Sequence, residues 1–329
     1  MTNAANQLLK QGIIQYQTNA FEEALQSWQQ ALNLYRTDQD LQREGAALGN
    51  LGAAYQALGN LPEAIACFEQ HLALAQRIAD NKGQVNALLN LRNAYLALDD
   101  ATKAGEYHQQ QLALAQEMLT SSTTNDFTKV ATMLGLNPIE DFAKANLSAT
   151  NLSNTNFKAA NLQGANLSHC NLSYANLNSA NLAYAILDNA DLKLADLSRA
   201  NLSNACLADA NLSNANLRDA NLQGADLQNA DLRCLMPRAN LSRAILSHAN
   251  LCSAYLQNAN LHAANLRGVL LQQADLSNAD LSHADFSNAD LTRVEFNDVQ
   301  VENTQMHNVK GLSTEMKRYL LERGAIIDG

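Results

Sequence analysis

The chain has no long apolar stretch. Across its 329 residues, no run approaches the roughly eighteen consecutive apolar residues that a membrane-spanning helix requires. Its first residues, Met1 to Asn6, also lack the charged-then-apolar pattern of a secretory signal. The sequence therefore predicts no membrane association and a cytoplasmic location.

Cysteine is scarce and scattered. The five cysteines form no Cys-x-x-Cys pair, and they lie at Cys67, Cys170, Cys206, Cys234 and Cys252. Isolated cysteines of this kind fit small-residue packing in a reducing compartment better than disulfide bonds or a zinc site. We expect no structural disulfide and no bound metal.

Positive charge is also in short supply. The chain carries 22 lysines and arginines against 32 acidic residues, a net charge of −10, and its basic residues form no stripe. A surface of this kind offers no electrostatic footprint for a phosphate backbone. Direct nucleic-acid binding is therefore not expected.

Catalytic motifs are missing too. The sequence contains no glycine-rich phosphate loop, no nucleophile elbow and no His-Glu-x-x-His pattern. The seven histidines are dispersed, and even His262 and His283 have no accompanying set of ligand residues. We expect no enzyme activity and no cofactor.

What the chain does contain is a five-residue period in its second half. A small residue, Asn or Asp, and Leu precede two variable positions, from Ala145 to Cys234 and again from Ala239 to Asn308. Five residues rotate an α-helix by about 500°, and neighbouring side chains of a strand alternate faces, so neither element aligns these leucines. The period therefore predicts a chain wound in about eight coils around its own leucine column.

Units such as ANLSH at 165–169 and ANLQG at 220–224 resemble the pentapeptide-repeat family. The resemblance implies a right-handed quadrilateral β-helix in which four units complete one coil. The central Leu and the small residue two positions before it face inward, and the other three positions face outward. Function is not implied, because a solenoid supplies a surface and its outward residues decide the use.

Residues twenty apart are expected to share one face of this β-helix. Asn161, Asn181, Asn201 and Asn221 then form a column, which predicts a ladder of side-chain amides. Two interpretations of these asparagines remain open. They hold the backbone of the turns, which is the favoured one, or they form a binding surface.

The five-residue register breaks at 235–238. The sequence there contains Pro237, which has no N–H to donate to a ladder. We expect an irregular, kinked coil at this point, and favour a structural irregularity over a binding notch.

A longer period governs the first third of the chain. Two sets of residues recur every forty positions, namely Gly12, Gly52 and Arg92, and Trp28, Phe68 and His108. Apolar residues between these marks follow helical spacing, and Pro62 stands at a helix start. The pattern predicts three helix pairs, at 3–18 with 21–36, 41–58 with 61–80, and 83–98 with 101–118.

The segment NLGAAY at 50–55, followed by Ala64 and Phe68, resembles a tetratricopeptide repeat of the long, forty-residue type. The third repeat departs from that family, because Arg92 replaces the usual Gly and His108 replaces an aromatic residue. The resemblance implies a concave groove that binds an extended peptide of a protein partner.

Asn50 and Asn90 occupy matching positions in this groove, where relatives use Asn to hold the main chain of a peptide. An amide suits this role because it both donates and accepts hydrogen bonds. Tyr16 of the first repeat is assigned to the same groove, although Lys10 stands at the Asn position there. The alternative is that both asparagines bond within the helix stack.

Both ends of a β-helix need covering, because they present unpaired strand edges. A helix at 125–134 is expected to close the first coil, with Phe142 as its first inward residue, and residues 120–124 before it are expected to form a linker or a helix cap. Ser313 is expected to cap a helix running to Arg323 that seals the last coil. The predicted domains are therefore 1–118 (helical repeats), 119–141 (linker and cap), 142–312 (β-helix) and 313–329 (capping helix).

Large apolar residues are rare at outward positions of the five-residue units, so four that cluster early in the β-helix stand out. These are Tyr174, Tyr184, Ile186 and Leu194. They form a candidate belt for contact with a partner.

The combined pattern favours a non-enzymatic adaptor, with α and β solenoids in one chain. The helical groove is expected to bind a peptide segment, and the β-helix to act as a rigid spacer and second surface. The pairing looks like multi-repeat proteins common in cyanobacteria. The first alternative is a DNA mimic that inhibits or protects a type II topoisomerase (gyrase), and the second is an enzyme with an unrecognised site. The partner, its pathway and the oligomeric state stay open.

Overall fold

The computed structural model describes residues 2–121 and 127–328. Its contacts divide the chain into two compact units. The helical unit comprises Met1–Ala115 with Met133–Gly135, and the coil unit comprises Gln116–Thr132 with Leu136–Gly329. Helical repeats followed by a four-sided β-helix are the architecture expected from the sequence, and the structure confirms it.

Six helices form the repeats at the start of the chain. Their bounds are α1 Thr2–Gln17, α2 Phe21–Thr37, α3 Leu41–Ala57, α4 Leu61–Arg77, α5 Asn81–Ala97 and α6 Ala101–Ser121. Three-residue connections separate them, and one residue in each connection has a left-handed backbone, such as Gly59 with φ 77°. The expected pairs are confirmed. Thr120, expected in a linker or a helix cap, lies in the last turn of α6.

Glycine on the first helix of a pair makes room for an aromatic ring on the second. A Cβ atom at Gly12 would lie 2.3 Å from Nε1 of Trp28, and one at Gly52 would lie 2.4 Å from the ring of Phe68. Both rings are buried, and Trp28 donates a hydrogen bond to the carbonyl of Leu9 at 3.1 Å. The forty-residue period of the sequence therefore reflects a packing contact between glycine and an aromatic ring that recurs in the first two helix pairs.

The third pair has no glycine at this position and contains a buried polar group instead. Arg92 stands where the other pairs have glycine, and its guanidinium donates to Oε1 of Gln111 at 3.5 Å. Gln111 is fully buried and donates in turn to the carbonyl of Leu134 at 3.1 Å. A buried amide of this kind is tolerated because its hydrogen bonds are made within the fold.

The coil unit repeats one backbone pattern at every turn. Parallel bridges join residues twenty apart, as from Asn161 to Asn181, so four units complete one coil. The central N–H of a unit donates to the next coil, as Leu162 does to the carbonyl of Asn181 at 2.8 Å. The leucines and the small residues of the units are buried, so the core is a column inside the coils.

The Asn or Asp of each unit holds the corner that follows it. Its side-chain oxygen accepts the backbone N–H two residues later, as Asn166 does from Ser168 at 3.1 Å. The fifth position then adopts a left-handed backbone, as His169 does with φ 58°. The interpretation of these residues as turn-holding groups is therefore confirmed.

The predicted amide ladder is also present. Each Nδ2 donates to the Oδ1 of the preceding rung, at distances of 3.0 to 3.4 Å, along Asn161, Asn181, Asn201, Asn221 and Asn240. These amides satisfy one another along one face, which stabilises the stack.

The irregular coil lies earlier than the sequence suggested. The short unit is 230–233, where the N–H of Cys234 closes a tighter turn onto the carbonyl of Leu232 at 2.8 Å. Residues 234–238 form a regular unit, with Cys234 and Met236 buried and Arg238 in the left-handed fifth position. The prediction of a kink at 235–238 was therefore wrong.

Pro237 is compatible with this regular unit for a simple reason. In units with Asn or Asp at the second position, the fourth-position N–H donates to that side chain, as Ser168 does to Asn166. Leu235 has no such acceptor, and proline has no N–H to satisfy. The carbonyl of Pro237 still accepts a ladder hydrogen bond from Asp219 at 3.1 Å.

Packing at the two ends of the coils closes the leucine column. Helix α7, Phe127–Met133, places the ring of Phe127 4.8 Å from those of Phe142 and Phe157. The predicted start of this helix at Asn125, and the predicted linker at 122–124, lie outside the described residues.

At the other end, Ser313 caps helix α8, Thr314–Leu321, by accepting the N–H of Met316 at 3.1 Å. Leu320 is fully buried. The chain then adds a feature that the sequence did not predict, since strand β2, Ile326–Ile327, pairs in parallel with strand β1, Gln305–Met306. The cap therefore combines a helix with one further rung of the ladder.

Candidate peptide-binding cleft

A cleft of about 270 Å³ opens between α3 and α5, with α4 below it. It lies wholly within the helical unit, on the face that carries the matching asparagines. Its lining residues are Ala46, Gly49, Asn50 and Ala53 of α3, His71 of α4, and Asn86, Leu89 and Asn90 of α5. Small residues on α3 leave the space open, and polar side chains reach into it from both walls.

Asn50 and Asn90 both line this cleft. Both are partly exposed, so their amides are accessible. Asn86, one helical turn before Asn90, lines the same space and was missed in the sequence. Three carboxamides therefore surround the cleft, and each can both donate and accept hydrogen bonds.

His71 forms the floor of the cleft and is 7% exposed. Its imidazole lies against α3, where Gly45 and Gly49 leave room for it. A Cβ atom would lie 3.1 Å from its Cδ2 at Gly45 and 3.0 Å from its Nδ1 at Gly49. Burial lowers the pKa of His71 from its usual value of 6.5, against a smaller opposite effect of the Asp80 charge. The floor is therefore a neutral imidazole at neutral pH.

Tyr16 does not line this cleft. Its ring packs 5.3 Å from that of Phe21 and 5.7 Å from that of Trp28, beside the first helix pair. It contributes to packing within that pair, and the structure brings only Asn50 and Asn90 of the three predicted groove residues together.

The four apolar residues of the candidate belt do not form one surface. Tyr174 and Leu194 stack at the same corner of two successive coils. The N–H of Tyr174 bonds to the carbonyl of Lys193, which is the residue directly before Leu194 in the next coil. Tyr184 lies two units after Tyr174, half a coil away, and Ile186 lies on the face that follows it. All four are exposed, by 39% to 60%, but as two separate pairs.

A notch of about 580 Å³ marks the place of the missing residue in the short unit. Asn214 and Ser253 flank it on the neighbouring coils, and Cys234 lies within it. Leu235 and Tyr255, which pair on successive rungs, are 42% and 51% exposed beside it. This apolar pair was missed in the sequence, although its signal is visible as apolar residues where the repeat has Asn or Asp.

Two family models match the chain. The model described as pentapeptide repeats matches residues 141–173, 160–199, 195–233, 238–273 and 270–308, and the model described as tetratricopeptide repeat matches residues 43–117. HetL, a pentapeptide repeat protein involved in heterocyst differentiation regulation from the cyanobacterium Nostoc sp. strain PCC 7120, is 30% identical over 53% of this chain and 91% of HetL, with a TM-score of 0.29. The chain belongs to the pentapeptide-repeat family. It also carries a tetratricopeptide-repeat domain.

Other solved structures resemble each part of this pentapeptide-repeat protein. The tetratricopeptide-repeat domain of Arabidopsis FLU is 28% identical, over 34% of this chain and 93% of that one, with a TM-score of 0.33. QnrB1, a plasmid-mediated fluoroquinolone resistance protein, is 18% identical, over 50% and 91%, with a TM-score of 0.39. A comparison with curated protein sequences gave no match.

The described part of this pentapeptide-repeat protein offers no metal site. Within residues 2–121 and 127–328, no group of three or more His, Cys, Asp or Glu side chains is placed to hold a metal ion. His262 and His283 do meet, with ring centroids 5.3 Å apart. No helix in the described part of the chain is long and apolar enough to cross a membrane.

Proposed function

We propose that this pentapeptide-repeat protein is a non-enzymatic adaptor whose cleft between α3 and α5 binds an extended peptide segment of a protein partner. The observation that supports this most directly is the convergence of Asn50, Asn86 and Asn90 on one open cleft. Amides at the two walls match the alternating donors and acceptors of a peptide main chain.

The repeat architecture supports the same proposal. Tetratricopeptide and pentapeptide repeats are protein-interaction scaffolds, and both present extended surfaces built from stacked units. In this chain the β-helix supplies a rigid spacer. Its two exposed apolar pairs, Tyr174 with Leu194 and Tyr184 with Ile186, are proposed as secondary contacts.

The cleft is tested by capturing partners from source-cell lysate on the immobilised full-length protein. An Asn50→Ala/Asn90→Ala variant removes two of the amides, and Asn33→Ala, on the exposed face of α2, is the matched control. We expect a partner that binds the wild type and the control but is lost from the double variant. A partner retained by all three proteins would reject the cleft as the recognition site.

The coil surface is tested in the same assay with two further variants, Tyr174→Ser/Leu194→Ser and Tyr184→Ser/Ile186→Ser. If either pair is a contact, one variant loses a partner that the other keeps. If both variants keep every partner, the apolar pairs are ordinary surface residues.

The gyrase-directed alternative finds no specific support in the charges of the β-helix. Several acidic side chains there are paired with arginines, as Asp219 is with Arg238 at 2.6 Å and Asp285 with Arg267 at 3.0 Å. A mimic of duplex DNA needs unpaired negative charge along its length. A gyrase supercoiling assay separates the two functions, because only the mimic inhibits or protects the enzyme.

A further inference from the structure

One ladder hydrogen bond is missing next to the notch of the short unit. At this corner of the β-helix, the fifth-position N–H of a coil donates to a carbonyl of the next coil, as Asn214 does to Arg233 at 2.9 Å. The short unit ends at Arg233 and has no fifth residue. Within the described residues, the carbonyl of Cys252 therefore receives no hydrogen bond. The space of the absent residue is the notch, which Cys252 lines, so this backbone acceptor is open to a donor from another molecule.

An exposed apolar surface borders the same notch. Leu235 and Tyr255 stand on successive rungs, at a position where most coils carry Asn or Asp, and they are 42% and 51% exposed. Covering apolar side chains of this size is favourable, and the tyrosine ring also offers a face for another ring. The volume of about 580 Å³ lies within the range of ligand-binding pockets, so the notch admits a bulky group.

The notch carries no net charge. Among its described lining residues Arg233 alone is charged, and its guanidinium donates two hydrogen bonds to Asp231, at 2.8 and 2.5 Å. A carboxylate entering the notch would meet the charge of Asp231. A cation would meet Arg233, whose counter-charge is already engaged. An uncharged occupant avoids both repulsions.

We propose that the notch binds a tryptophan side chain of a protein partner, whose indole N–H donates to the carbonyl of Cys252 while its ring packs on Leu235 and Tyr255. Tryptophan is uncharged, and it combines a large apolar ring with a donor and no acceptor, which matches a site whose open group is an acceptor. The notch belongs to the coil unit and the cleft to the helical unit. The inference therefore does not rest on the proposed function of the cleft.

The first test measures binding of 3-methylindole, which is the side chain of tryptophan, to the full-length protein by NMR titration. Its matched control is 1,3-dimethylindole, which keeps the ring and has no N–H. Tryptamine and indole-3-acetate, a cation and an anion with the same ring, test the preference for an uncharged group.

Two variants assign this binding to the notch. Asn inserted between Arg233 and Cys234 fills the missing position and supplies an N–H to Cys252, so it closes the site without removing a side chain. Tyr255→Asn restores the usual residue of the repeat and removes the exposed ring. Tyr174→Asn, which removes an exposed tyrosine three coils earlier, is the control.

We expect 3-methylindole to bind the wild type and Tyr174→Asn equally, and to show no measurable binding to the insertion variant. Loss of the N–H in 1,3-dimethylindole, or of the ring in Tyr255→Asn, should each weaken binding about tenfold, because each removes one main contact. The two charged relatives should also bind more weakly than 3-methylindole.

A second test addresses the protein source of the side chain. Random twelve-residue loops are selected on the wild type and counter-selected on the insertion variant. Loops that depend on the notch should share a tryptophan. Its replacement by benzothienylalanine, which carries sulfur in place of the N–H, should weaken binding about tenfold.

Three results would overturn the inference. The first is that 3-methylindole does not bind, or binds the wild type and the insertion variant equally. The second is that notch-dependent loops lack tryptophan, or bind as tightly with benzothienylalanine. The third is that 3-methylindole binds but no loop depends on the notch, which would assign the site to a free small molecule instead.

Discussion

Asn240 donates a hydrogen bond to Asn221 at 3.0 Å, although the coil between them is one residue short. The ladder on this face therefore continues without a step. The missing residue is absorbed at a single corner, after Arg233, where Cys234 closes the tighter turn. On the faces before and after the short unit, residues of successive coils therefore remain aligned with one another.

Restoring the missing residue should stabilise the coil unit. The carbonyl of Cys252 faces the gap and receives no backbone hydrogen bond from the described residues. Inserting Asn between Arg233 and Cys234 supplies a fifth-position N–H, and asparagine tolerates the left-handed backbone needed there. We expect the free energy of unfolding to rise by about 1 kcal/mol in urea titrations.

The matched control inserts Asn one coil earlier, between Ser213 and Asn214, where the unit is already complete. That insertion should destabilise the coil unit. If both insertions reduced stability to the same extent, the placement of the gap after Arg233 would be wrong.

Leu197 and Leu194 test the inward and outward positions of the β-helix. Leu197 is fully buried, whereas Leu194, three residues earlier, is 41% exposed. Leu197→Ala should lower the stability by about 2–5 kcal/mol, because it leaves a cavity in the leucine column. Leu194→Ala should change it by less than about 0.5 kcal/mol. Equal losses in urea denaturation would contradict the assignment of the two positions.

Gly52→Ala should destabilise the tetratricopeptide-repeat domain by about 1–3 kcal/mol, because the new methyl group would lie 2.4 Å from the ring of Phe68. Gly105→Ala on α6 is the control, since no atom lies within 4 Å of a Cβ there. It should stabilise the helix by up to about 1 kcal/mol. Trp28, the one tryptophan of the chain, is buried in this domain, so its fluorescence follows the unfolding.

The helical domain should lose stability in mild acid. The pKa of His71 is lowered by burial, so on acidification the unfolded chain takes up a proton before the folded one does. The contribution of His71 is therefore complete above its ordinary pKa of 6.5 and declines as the pH falls through the lowered value. Urea midpoints from Trp28 fluorescence, measured about one unit above and about two units below the ordinary pKa of His71, follow this decline.

His71→Phe provides the comparison, because phenylalanine does not titrate. The variant should show a smaller loss between the two pH values than the wild type. An identical loss in both proteins would assign the acid sensitivity to other groups.

The repeated parts of the fold were predictable because the same side chain performs the same task in every unit. A buried Leu, a turn-holding Asn and a glycine under an aromatic ring each recur at a constant interval. The short unit was misplaced for the converse reason. Cys234, Leu235 and Met236 occupy ordinary positions with unusual residue types, so their register looked broken.

The floor of the cleft was not predictable by the same means. Position 71 corresponds to Ala31 in the first repeat and Gln111 in the third, so the forty-residue period gives it no signature. Its role depends on packing against Gly45 and Gly49, which only the arrangement of α3 and α4 reveals. Asn86 was missed for a related reason, since Ala46 stands forty residues before it.

The ladder hydrogen bonds of the β-helix have a mechanical consequence. Each coil bonds to the coils directly before and after it, about twenty residues away in either direction. A structural change in one coil therefore acts directly on the two adjacent coils only. It can affect more distant coils only by passing through the stack between them. If the β-helix is the spacer proposed above, this construction would hold the groups attached along it at constant separation without transmitting a conformational change between them.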